Sequence, residues 1–250
     1  MISAILNHRS IRKYKSTPIS KEILNEILSA GIRASTTGNM QVYSLVVTTD
    51  PKIKEKLCTA HFNQEAVKKA PVVVTFCADF YRFNKWCKLR NAEPGYDNFL
   101  SFTTAAIDAL LAAQNIALEA EAHGLGICYF GTTTYNADKF IEILNLPKGV
   151  VPITAITIGY PEVIPELTDR LPLEAVVHYE TYQDYSDKSI NELYKEKEEL
   201  PFHKELLKTN NKKTLAQIFT DIRYTKKDNV AFSKSFLKVL ETQGFMNNDF

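Results

Sequence analysis

At 250 residues the chain is long enough to bury a substantial core, and 45% apolar with 24% charged residues is the balance of a globular protein in water. A formal net charge of +1 creates no global field for nucleic acid or an anionic membrane, so any anion site must come from locally placed Arg and Lys. Cys58, Cys77, Cys87 and Cys128 lie far apart without a C-x-x-C pair, which argues against a disulfide framework or a zinc site. No window approaches eighteen uncharged apolar residues, and the basic N-terminus lacks the apolar stretch of a signal peptide. Neither a membrane span nor export is expected, and the expected compartment is the cytoplasm.

Along the chain, His8-Arg9-Ser10-Ile11-Arg12 comes first. If extended, its period of two puts His8, Ser10 and Arg12 on one face, which suits a phosphate. Taken alone, the same segment reads first as a solvated basic turn, because charged surface segments are common. Ser20 then caps a helix over Lys21–Ala34, with Ile23, Leu24, Ile27, Leu28 and Ile32 as its apolar stripe. Ser35-Thr36-Thr37-Gly38-Asn39-Met40-Gln41 breaks that helix. Its small hydroxyl side chains either admit a flat ring close to the backbone or form an ordinary loop.

Val42–Thr48 is a β-branched run suited to a strand. Pro51–Ala70 reads as helix with a loop around His61-Phe62-Asn63-Gln64. The continuously apolar Pro71–Ala78 reads as a central strand covered on both faces. Phe80–Asn98 is rich in aromatic and charged residues, with Pro94-Gly95 marking a loop.

Phe102–His123 is the strongest helix. It is apolar on nearly every side and so belongs in a core or a subunit interface, and Gly124 fits the position that ends it. A short strand at Ile127–Phe130, a helix over Ala137–Leu144 and a second buried strand at Val150–Gly159 follow. After Tyr182 the chain becomes highly charged, with helical segments carrying too little apolar surface to fold alone. The expected division is a core over 1–182 and an extension over 183–250 packed on the core or on a partner subunit.

Gly124-Leu125-Gly126 follows a helix and precedes a strand, the reverse of the dinucleotide-binding order, so that reading is rejected. His61, His123, His178 and His203 lack metal-ligand spacing, so no metal is expected, and no Ser-His-Asp constellation can be argued.

Four pieces in this order and at these spacings resemble the FMN-dependent nitroreductase family. They are His8–Arg12, Ala34–Gln41, Gly124-Leu125-Gly126-Ile127-Cys128-Tyr129-Phe130-Gly131, and Ile158-Gly159-Tyr160-Pro161 followed by Arg170. The likeness is greatest to its larger branch of oxygen-insensitive NADPH nitroreductases and NADPH-flavin oxidoreductases. It is clear to about Tyr182 and looser beyond.

The resemblance implies an α+β fold with a mixed, mainly antiparallel sheet flanked by helices, and a C-terminal helical extension wrapping a homodimer. It implies that His8, Arg9, Ser10 and Arg12 hold the FMN phosphate and ribityl chain together with Arg170. Thr36, Gln41 and Gln64 would meet polar edges of the flavin, while Tyr129, Phe130, Gly131 and Thr132 would lie against its ring, with the Gly131 N–H at N5. Thr168 stands where the family commonly has a lysine, which removes one positive charge. Lys208, Lys212 and Lys213 fall in the segment that relatives use for the 2′-phosphate of NADPH. Lysine there is a poorer planar clamp than arginine, and the segment alone could equally be a solvated helix.

The implied activity is NAD(P)H oxidation by a ping-pong route, with NADPH or NADH as reductant and a nitroaromatic, quinone or flavin as small-molecule acceptor. A flavin reductase supplying free reduced flavin and a non-catalytic FMN-binding redox sensor are the alternatives. A nucleic-acid partner is disfavoured because acidic residues interleave the lysine-rich tail.

Overall fold

The computed structural model describes residues 1–247. Four strands form an antiparallel sheet: β1 (Tyr43–Thr48), β2 (Val72–Asp79), β3 (Gly126–Phe130) and β4 (Val150–Gly159). Their order is β1-β2-β4-β3, so Val74 of β2 stands between Val47 and Ile156. The free edge of β3 is covered by the N-terminal segment. Ser10 bridges Ile127 in parallel, and Tyr14 pairs with Pro161 in antiparallel. The sheet with this addition is mixed but mainly antiparallel, as the sequence led one to expect.

The helices are α1 (Ser3–Leu6), α2 (Lys21–Gly31), α3 (Pro51–Ala60), α4 (Glu65–Lys69), α5 (Tyr81–Leu89), α6 (Phe99–Ala122), α7 (Ala137–Ile143), α8 (Asp187–Glu199), α9 (Pro201–Thr209), α10 (Leu215–Ile218) and α11 (Lys226–Gln243). Alternation along β2 explains why all eight of its residues are buried. Val72, Val74 and Phe76 pack with Ile27 of α2 and with Ala112, Ala113 and Ile116 of α6. Val73 points the other way, into Leu57, Val67 and Phe140 of α3, α4 and α7.

The chain divides into two compact units, Met1–Glu166 together with the chain from Phe232, and Leu167–Ala231. In the first, Val239, Leu240 and Phe245 join Phe80, Phe102 and Val151 in a third cluster. In the second, Lys197 pairs with Asp169 at 2.5 Å, and Thr214 and Gln217 form a capping box that starts α10.

Three local outcomes differ from the sequence reading. The segment after Phe80 contains a helix, α5, whose first turn is tied down where the Asp79 carboxylate accepts the Arg82 N–H at 3.2 Å. Helix α6 begins at Phe99, three residues early, because the Asn98 side chain accepts the Ser101 N–H at 3.0 Å. By length and composition α6 could also cross a membrane. Its alanine-rich face is instead buried against the sheet, and Asp108, fully buried within it, binds backbone N–H groups of another segment. The end of α6 is as expected: Gly124 has φ 74°, and the N–H groups of Gly124 and Leu125 donate to the carbonyls of Glu121 and Ala120.

Candidate functional site

The basic segment is fixed to β3 by its backbone. The Ile11 N–H donates to the Ile127 carbonyl at 2.8 Å, and the buried Ile11 side chain turns inward against Gly126. The Tyr14 hydroxyl donates to the Ile11 carbonyl at 2.5 Å and shares a 2.7 Å bond with Thr157 Oγ1. Burial holds that phenol well above its ordinary pKa. With Ile11 inward, Arg12 is left exposed and Ser10 half-buried.

Arg9 shares the parity of Ile11. Its guanidinium donates to the carbonyls of Asn7 at 2.7 Å and Pro165 at 2.9 Å, beside a cleft of about 420 Å³ lined also by Ile11, Glu121 and Gly126. His8 Nδ1 lies 2.7 Å from Glu121 Oε1 of α6.

The loop after α2 is anchored from the core. Asp108 Oδ1 accepts the Thr37 N–H at 2.9 Å, and its Oδ2 accepts the Val42 N–H at 3.4 Å. Between these anchors Gly38, Asn39 and Gln41 all have φ between 54° and 56°. For Asn39 and Gln41 this left-handed backbone costs roughly 1 kcal/mol each. The Arg82 guanidinium donates to the Gln41 carbonyl, and Gln41 Nε2 donates to Asn39 Oδ1 at 3.1 Å. Thr36 is half-buried at the start of this turn.

A third group forms where β3 ends. Gln64 Nε2 donates to Thr132 Oγ1 at 3.3 Å, and His61 Nδ1 is 2.7 Å from the same oxygen. His61 is fully buried between Phe130 and Phe140, and its Nε2 has no partner. Desolvation pushes its pKa down to about 4, so this imidazole is neutral at physiological pH. The Tyr129 hydroxyl donates to Gln114 Oε1 at 3.4 Å, and burial, aided by the charge of Glu121, raises its pKa.

Gly131 opens the 3₁₀ turn Gly131–Asn136, so its N–H has no partner within the turn. It has no positive φ, and a Cβ placed there would meet nothing within 4 Å. Neither backbone conformation nor packing therefore demands glycine at 131. What its missing side chain leaves is open space beside Phe130 and Thr132, which fits a flat ring lying on the backbone.

The structure thus brings His8, Ser10 and Arg12 onto the edge of β3, the strand that ends in Tyr129 and Phe130 just before Gly131, and it joins Gln64 to Thr132. Arg170 belongs to the second unit, where Nη1 donates to the carbonyls of Thr168 at 3.3 Å and Asp169 at 2.9 Å. The three lysines are also in that unit. Lys212 pairs with Asp221 at 2.9 Å, while Lys208 and Lys213 are exposed. Sequence reasoning missed Asp108, Glu121 and His61. An acid set within the apolar run from Ala105 to Ala113 was a visible signal for Asp108; the partners of the other two lie far off in sequence.

An antiparallel sheet between helical layers, edged by a basic segment and ending in an open glycine, defines an α+β protein of nitroreductase type. The chain belongs to the nitroreductase family, whose model matches residues 5–160. It is 35% identical over 208 residues to a protein of Bacillus subtilis (strain 168) named FMN reductase (NADPH), covering 78% of this chain and 84% of that one. A crystal structure from Bacteroides fragilis NCTC 9343, described in general terms as an oxidoreductase, is 54% identical with a TM-score of 0.97, covering 98% of this chain and all of that one. The NfrA1 nitroreductase of B. subtilis superimposes with a TM-score of 0.88 at 30% identity, covering 98% of both chains.

Proposed function

We propose that this chain is an FMN-dependent NAD(P)H oxidoreductase of nitroreductase type, reducing nitroaromatic, quinone or flavin acceptors. The observation that carries the proposal is Gly131, a glycine required by neither conformation nor packing, at the end of the strand along which the basic segment runs. The names of the B. subtilis relatives, an FMN reductase (NADPH) and a nitroreductase, support the same reading and favour flavin among the acceptors.

When bound, FMN supplies the hydride and electron chemistry. The residues of this chain bind and orient it. His8, Arg9, Ser10 and Arg12 supply the donors and positive charge for its phosphate. Thr36, Gln41 and Gln64 offer polar groups to its edges, and Thr132 steadies the Gln64 amide through their hydrogen bond. Tyr129 and Phe130 give an apolar wall, and the Gly131 N–H is the donor for N5, where it favours the electron-rich reduced form. Lys208, Lys212 and Lys213 are the candidates for the NADPH 2′-phosphate.

The protein acts as a homodimer. The outward face of α6 carries Leu100, Ile107, Leu110 and Leu111, between 43% and 75% exposed, which supports a second copy covering it. Four free, buried cysteines support a reducing compartment, the cytoplasm.

The test is flavin absorbance of the purified protein, with FMN titrations of Ser10→Ala and Arg12→Ala. Each variant should lose roughly ten- to hundredfold in affinity. Unchanged affinity in both sinks the site. Sustained NAD(P)H oxidation with added acceptor separates the enzyme from a redox sensor, which would be reduced once.

A further inference from the structure

We propose that Glu121 is a positioning residue that makes His8 a charged ligand of the FMN phosphate, so that FMN binding takes up a proton. This rests on the reading of the basic segment as the phosphate site.

Three observations carry it. His8 Nδ1 is 2.7 Å from Glu121 Oε1, joining residues 113 apart in sequence. The Glu121 side chain is only 10% exposed and its Oε2 is buried without a partner, so this carboxylate is poorly solvated. The His8 side chain is about a third exposed and Nε2 is left without a partner, on the segment whose other outward residues are Ser10 and Arg12.

A carboxylate only accepts, so the Nδ1 that faces it carries the hydrogen. In a neutral imidazole Nε2 is then a bare lone pair, which repels a phosphate oxygen. An imidazolium donates at both nitrogens, to Glu121 on one side and to the phosphate on the other. Without Glu121 a neutral His8 could shift its hydrogen to Nε2 and bind phosphate uncharged, with no proton taken up. Glu121 closes that route.

Burial raises the Glu121 carboxyl pKa, while its contacts with His8 and with the Arg9 backbone N–H lower it. The other ionisable groups facing the pair are Arg9 on the same segment and Tyr129 on β3; α1 contributes none.

Calorimetric titration at pH 8, where the FMN phosphate is already a dianion, in buffers of different ionisation enthalpy, reads the proton directly. Wild type should take up a substantial fraction of one proton per FMN and none with riboflavin, which lacks the phosphate. Glu121→Gln should abolish the uptake. It should also reduce the FMN-over-riboflavin preference by roughly tenfold, the ordinary worth of one charge-assisted hydrogen bond, while leaving riboflavin affinity unchanged. His8→Asn, at a part-exposed position, should abolish the uptake in the same way without disturbing the core. Wild-type uptake and preference persisting in either variant overturns the proposal. Equal wild-type affinity for FMN and riboflavin, or affinity for neither, overturns the phosphate-site reading itself.

Discussion

Ile11 occupies the space that a side chain on Gly126 would need. A Cβ built at Gly126 would lie 2.4 Å from Ile11 Cγ1 and 2.7 Å from its Cβ. Because the Ile11 N–H is bonded to the Ile127 carbonyl, this steric fit sets where the whole His8–Arg12 segment rests.

Gly126→Ala should therefore cost about 1–3 kcal/mol by overpacking and should weaken FMN binding together with stability. Gly131→Ala should leave stability within about 0.5 kcal/mol, because its Cβ enters open space, while impairing flavin binding. Urea denaturation and FMN titration of the two variants check this. Equal stability losses would contradict it.

Asp108→Ala should destabilise the fold by about 3 kcal/mol, because it strips the Thr37 and Val42 N–H groups of a charged acceptor. Amide exchange should accelerate first at those two residues. Protection unchanged at both would mean that the loop is held by something else.

His61 gives a pH signature. Its folded pKa of about 4 lies below an imidazole's ordinary 6.5, so between those values the unfolded chain binds a proton that the folded chain refuses. Stability from this group is fully present above pH 6.5, falls as the pH drops through the window, and levels off below about pH 4. The total is about 3 kcal/mol. His61→Gln should flatten the slope of unfolding free energy between pH 6.5 and 4 relative to wild type; an identical slope would show that the buried imidazole is not its source.

Leu110→Glu with Leu111→Glu, on the outward face of α6, should turn a dimer into a monomer in sedimentation at micromolar concentration. A wild type that already sediments as a monomer would remove the dimer from the proposed function.

Lys208→Ala and Lys213→Ala should each narrow the preference for NADPH over NADH by roughly threefold, an effect that salt diminishes. Lys212→Ala should matter less, since Asp221 already opposes its charge. Steady-state kcat/KM for both nucleotides decides; a larger loss at Lys212 than at the other two would contradict this ranking.

Much of the framework was legible in the sequence because it follows from local rules. The Ser20 cap, the continuously apolar β2, the glycine that ends α6 and the strand that precedes Gly131 each depend on residues within a turn or two of one another. The phosphate segment and Gly131 could be picked out as candidates by the family resemblance. Tertiary structure alone decided what those residues touch. His8 meets Glu121, Thr37 meets Asp108 and His61 meets Thr132 across separations of 71 to 113 residues, and no local periodicity records such pairs. Likewise, the glycines at 126 and 131 look alike in the chain. At 126 Ile11 fills the space a side chain would need; at 131 that space is open. That difference exists only once the N-terminal segment has been laid along the edge of β3, since steric exclusion acts between neighbours in space and not between neighbours in sequence.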